Sequence, residues 1–134
     1  MIDDVNDAEI NDAGIVAEVR AAFERYNAAL DAGDVGALNE FFWNSPSTVR
    51  LGPTENLFGF DEISAFRAAR WKRTDGARTF ERVVITSFGR DFATTNALIR
   101  GSGGKVSRQS QTWARLAQGW RIVAAHVSQI PDRP

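Results

Sequence analysis

Tyr26 is the chain's only tyrosine and His126 its only histidine, so the groups able to move a proton near neutral pH can be weighed one at a time. Tyr26 falls on a helical stripe with Ile15, Val19, Ala22, Phe23 and Leu30, which turns its ring toward a core. A phenol there is either bonded to a backbone carbonyl or facing a cavity where it can give a proton to developing negative charge. Arg50 stands in Thr48-Val-Arg-Leu51, opposite Val49 and Leu51 by strand alternation. The spacing leaves open which side meets the core; an inward arginine cannot lose its charge and would require an anion or a carboxylate. Gln109 and Gln111 share a strand face with Ser107 and Trp113, and two amides in that register either fix a polar ligand or form a solvated strip. Arg67 and Arg70, three apart on one predicted helix, can clamp an anion if their face overlies a pocket. Glu55 is the nearest candidate counter-ion for these arginines.

The last strand candidate places Trp120, Ile122, Ala124, His126 and Ser128 on one face by period-two alternation, with Arg121, Val123, Ala125 and Val127 on the other. That pattern makes His126 and Ser128 candidate ligand-binding residues on an otherwise apolar row. A hydrogen-bonded core histidine is the plainer alternative.

Other chemistries are excluded by what the sequence lacks. With no cysteine, disulfides and thiolate chemistry are out, and one histidine argues against a transition-metal site. The run Gly101 to Gly104 is a hairpin turn and not a strand-to-helix phosphate loop, and no serine stands in a nucleophile-elbow context. Sixteen basic residues against seventeen acidic ones provide no charge excess to attract nucleic acid or an anionic membrane. No apolar run reaches bilayer-spanning length, and the N-terminus is acidic where an export signal is basic then apolar. These features point to a cytoplasmic protein.

The elements that must position the candidates follow from periodicity. Residues 1–12 read as an acidic, flexible leader and 13–134 as a single domain. A first helix ends at Gly33, Asp34 caps a second with Leu38, Phe41 and Phe42 on its buried side, and Asn44-Ser-Pro46 breaks it. Thr48 to Leu51 is a short strand followed by a loop to Gly59. Asp61 opens a third helix whose face carries Ile63, Phe66 and Ala69 or Arg70. Four strands follow: Thr79 to Phe88, Phe92 to Arg100, Val106 to Ala117 and Trp120 to Ile130, with glycine-bearing turns between them. Helices first and a meander afterwards specify an α+β fold, the helices covering one face of a curved sheet and leaving a small-molecule pocket at its mouth.

Phe23-Glu-Arg-Tyr26, Phe41-Phe-Trp43, Thr48-Val-Arg50, Ala65-Phe-Arg-Ala-Ala-Arg70, Arg108-Gln-Ser-Gln-Thr-Trp113 and Gly119-Trp-Arg-Ile-Val-Ala-Ala-His-Val-Ser128 together resemble the AtzH/HpxZ family of the NTF2-like (SnoaL-like) superfamily. The resemblance covers nearly the whole chain beyond the leader. It implies a cone of three N-terminal helices on a strongly curved antiparallel sheet and a homodimer formed through the sheets; the chemistry expected of it requires no cofactor or metal. It also implies a place in the breakdown of urea-like compounds such as cyanuric acid and oxalurate, beside amidase-type hydrolases. The activity implied is loss of a carboxyl group from an N-carboxylated urea, dicarboxyurea going to allophanate. The family's tyrosine on the first helix and arginine on the first strand match Tyr26 and Arg50. Arg70, Gln109, Gln111, His126 and Ser128 are then the candidates for the other end of the substrate. The rival expectations are a non-catalytic dimeric module that binds a small carboxylic acid or accompanies an amidase-type partner, and a proton-shuttling isomerase with Glu55 as base.

Overall fold

The structure, a computed structural model, describes residues 9–70 and 78–131, without the side chains of Arg70 and Ser102. Helix α1 spans Ala13–Ala32. Asp12 caps its start by accepting from the Gly14 and Ile15 amides, and Gly33 ends it in the left-handed region at φ 69°, a conformation glycine adopts without steric cost. Ile15, Val19, Ala22, Phe23, Tyr26 and Leu30 are all buried, so the stripe expected from spacing is the core face. Ahead of the helix, Ile10 bridges to Phe88 and the Asn11 amide donates to the Ser87 carbonyl, which ties residues 9–12 to the sheet.

Helix α2, Val35–Glu40, is capped by Asp34. Phe41 and Phe42 lie just beyond it, and Phe42 makes a parallel bridge to Ile122. Strand β1 spans Val49–Leu51. The segment expected as a loop before Gly59 contains a second short strand, β2, Asn56–Phe58. Helix α3 covers Phe60–Arg70, followed by β3 Thr79–Phe88, β4 Phe92–Arg100, β5 Val106–Leu116 and β6 Gly119–Ile130.

The strands form one six-stranded, curved and unclosed sheet in the order β2-β1-β6-β5-β4-β3. All neighbours are antiparallel except β1, which runs parallel to β6. The three helices cover the inner face. Alternation on β4 and β5 sorts side chains cleanly: Ala93, Thr95, Ala97, Ile99, Gln109, Gln111 and Trp113 are buried beneath the helices, while Phe92, Asn96, Leu98, Arg108 and Ser110 face outward. Among the described residues no helix is long and apolar enough to cross a membrane.

On β6 the alternation is interrupted. Trp113 pairs with Ile122 but Thr112 pairs with Ala124, so Val123 is one extra residue in the strand, a β-bulge. Trp120 and Ile122 are buried before it, whereas Ala125 is buried after it. The even-numbered row therefore leaves the core at the bulge, and His126 and Ser128 lie on the outer face. In register, His126 stands opposite Ser110 and Ser128 opposite Arg108, whose Nε donates to Ser128 Oγ at 3.1 Å.

Candidate functional site

Arg50 is the middle residue of β1 and points inward, while Val49 and Leu51 face the other way. Its register partner on β6 is Ala125, which in turn faces Gln111 on β5. Strand pairing alone thus puts the arginine and the glutamines on one wall. Arg50 Nη1 donates to Glu55 Oε1 at 2.9 Å, and Thr54 donates to the other carboxylate oxygen. Burial by itself would raise the Glu55 carboxyl, but the hydrogen bonds from Thr54 and Arg50 and the charge of Arg50 outweigh it and leave the group below its ordinary value. The fold-back of Glu55 is possible because residue 52 is glycine: a Cβ there would lie 1.8 Å from Glu55 Oε1.

Tyr26 is buried on α1, with its ring edge-on to Phe41 at 5.8 Å between centroids and tilted against Phe42 at 6.1 Å. No hydrogen bond among the described residues involves its hydroxyl, so the backbone-bonded reading of this tyrosine has no support. Tyr26, Arg50 and Gln109 all line one cavity of about 250 Å³ between α1 and the sheet. Arg78 stands at the same cavity, its Nε donating to Asp31 at 2.6 Å. Larger depressions of about 510 and 530 Å³ open elsewhere on the surface, but neither gathers a buried cation with a proton donor.

Gln109 is 4% exposed and its Oε1 is buried with no partner. Gln111 is satisfied within the wall: Trp113 Nε1 donates to Thr95 Oγ1, and Thr95 Oγ1 donates to Gln111 Oε1, both at 3.0 Å. The two glutamines expected to act alike therefore differ, Gln111 rigidifying the sheet and Gln109 facing the cavity with its acceptor unused.

Arg67 is the residue that sequence reasoning undervalued. Helix α3 buries Ile63 and Arg67, one turn apart, while Ala69 is exposed, so its inner face is offset from the predicted one. Arg67 is 2% exposed; its guanidinium lies 4.4 Å over the Phe42 ring and Nη1 donates to Asn39 Oδ1 at 3.3 Å, leaving Nε without a partner. Burial draws its pKa below the ordinary value, with the phenol of Tyr26 opposing that shift and the charge of Arg50 adding to it. Because arginine does not lose its proton in proteins, the cost of burial is expressed as a demand for an anion. Among the described residues no carboxylate pairs with it. The signal was present in sequence as helical spacing from Ile63, but an arginine there reads as surface. Arg70, its companion in that reading, has a side chain outside the described residues.

His126 and Ser128, expected as ligand-binding residues, are separated from this cavity by the sheet itself. The bulge at Val123 is the cause, and the sequence carried a trace of it: the apolar residues switch parity from Trp120 and Ile122 to Ala125 and Val127.

A family model described as AtzH-like matches residues 8–133. The chain belongs to the AtzH-like family. It is similar to a Pectobacterium atrosepticum SCRI1043 protein of unknown function from the DUF3225 family, with 44% identity over 95% of this chain and 99% of that one and a TM-score of 0.89. A cystatin-like fold protein from Burkholderia xenovorans LB400 is also 44% identical, over 93% of this chain and 98% of that one, with a TM-score of 0.87. An NTF2-like superfamily protein from Salmonella enterica, 23% identical over 91% of this chain and 95% of that one at a TM-score of 0.70, shares the fold. No curated protein matches the sequence. The AtzH-like chain is thus an α+β domain with the NTF2-like fold.

Proposed function

We propose that this AtzH-like protein removes a carboxyl group from a small N-carboxylated urea, without a cofactor. The observation that carries the reading is the convergence of Tyr26 and Arg50 on one cavity, the two residues that the family resemblance associates with this chemistry. A cavity of about 250 Å³ has room for a compact dicarboxylated urea.

Arg50 has nitrogens beyond the one held by Glu55, and these bind the substrate carboxylate by charge-assisted hydrogen bonds. The pairing with Glu55 offsets the charge of Arg50; Arg67, outside the cavity lining but buried beside Phe42 with no described carboxylate partner, adds a positive charge behind the wall that favours an anion. In the reaction the bond between nitrogen and the carboxylate carbon breaks, carbon dioxide leaves, and the electron pair stays on nitrogen. Tyr26 gives its hydroxyl proton to that nitrogen and regains one from solvent. Arg67, packed on the same Phe42 ring as Tyr26, favours the transient phenolate by its positive charge. The role of the protein is positioning plus one proton.

The test is release of carbon dioxide from N-carboxylated ureas by the purified protein and two variants. Tyr26→Phe is expected to lower turnover about a hundredfold or more with little change in binding, and Arg50→Ala to weaken binding as well. Full activity in both variants removes the assignment. Ligand binding with no turnover across the series supports the rival reading, a module that binds a small acid or accompanies an amidase-type partner.

A further inference from the structure

The Gln109 amide brings to the cavity wall a fully buried acceptor that has no partner among the described residues. It sits in the middle of β5 opposite Val127 and Ala97, both without polar side chains, so the sheet offers it nothing. Its Oε1 has no partner, and none of the hydrogen bonds among the described residues involves its Nε2. Its neighbour Gln111, two residues on, is engaged by Thr95; the same face of the same strand therefore holds one satisfied amide and one unsatisfied. A buried unpaired amide is costly, and replacing it by an apolar group of the same shape costs little, so its presence at the cavity calls for a compensating ligand.

We infer that Gln109 is a specificity residue that reads the N–H and C=O edge of a urea or primary amide. Turned either way about its last bond, the side chain presents one acceptor and one donor side by side. The complementary group has one N–H and one C=O side by side, as the terminus of a urea or primary amide does. A carboxylate offers acceptors only and leaves Oε1 unpaired; a ketone does the same. With Arg50, two strands away on β1 but lining the same cavity, taking a carboxylate, the site selects a small acid that carries a urea or amide, and it discriminates against plain acids of equal size. This rests on the reading of the cavity as the substrate site, but it concerns recognition and not the bond that breaks.

The experiment is binding of two stable, unreactive probes measured by calorimetry: ureidoacetate, and levulinate, which has the same size, charge and carbonyl but carbon in place of both nitrogens. Wild-type protein is expected to bind ureidoacetate about tenfold or more tightly than levulinate. In Gln109→Leu the gap closes to within about threefold while levulinate binding persists, and that persistence also shows the variant to be folded. Gln109→Glu, which keeps an acceptor but adds charge, weakens both. Equal wild-type affinities, binding of neither probe, or a gap that survives Gln109→Leu overturns the inference. The two proposals fail separately: a urea preference without carbon dioxide release sinks the decarboxylation alone, and turnover without the preference sinks the role of Gln109 alone.

Discussion

Arg67 shows how a single side chain can be retained against stability. It is covered by Phe42 and bonded to Asn39, yet no described carboxylate compensates its charge, and desolvating an unpaired ion is among the largest penalties a fold can carry. The expected outcome for Arg67→Met is therefore a protein more stable by about 1–3 kcal/mol, with a melting temperature raised by a few degrees, and with weaker carboxylate binding. Paired melts with and without ligand check this: a gain in the free protein that ligand no longer enlarges. A variant both less stable and unimpaired in binding would assign Arg67 to packing alone. Tyr26 and Gln109 belong to the same pattern, since each brings a polar group to the cavity for which the described residues offer no partner.

At the scale of elements, the β1–β2 hairpin acts as a holder for Arg50. Gly52 leaves room for Glu55 to fold back, and Glu55 fixes one nitrogen of the guanidinium. The folded-state pKa of Glu55 lies below the ordinary 4.5, so the pair's contribution to stability is present above that value and lost as pH falls through the lower one. Denaturation titrated from neutral to acid pH is expected to show Glu55→Gln less stable than wild type near pH 7, the difference shrinking as the medium becomes more acidic; a difference independent of pH counts against the pair. The helices and four long strands were legible because each carries its own period: the α1 stripe, the alternation of β4 and β5, and turns marked by glycine. What was not legible depends on partners distant in sequence. Strand β2 is three residues long and exists by pairing with β1. The inward choice of Arg50 is set by β6, and the burial of Arg67 by Phe42 and Asn39. Period-two reasoning carried His126 and Ser128 to the wrong side because a bulge adds a residue without adding a break.

For the whole molecule, the outer face of the sheet is the surface left to account for. Phe88 and Phe92 stand opposite one another across β3 and β4, and Phe92 is 46% exposed, with Val84 and Leu98 nearby also open. The family resemblance implies a homodimer through the sheets, and this apolar strip, bordered by Asn96, Ser110 and Arg108, is the surface such a pairing would cover. Sedimentation is expected to give twice the chain mass for wild type and the monomer mass for Phe92→Asp, with catalysis retained if each cavity is complete in one chain; a wild-type monomer ends the dimer expectation. The bulge at Val123 finally bears on how such a protein diversifies. Because one supernumerary residue decides which half of β6 looks inward, pairing the same strand without the bulge would slide its second half by one position and bring an imidazole and a hydroxyl to the cavity in place of Val127 and Gln129. Two different reagent sets are thus written into the same twelve residues, and the change that exchanges them is a shift in reading frame along the strand, which no survey of point substitutions would sample.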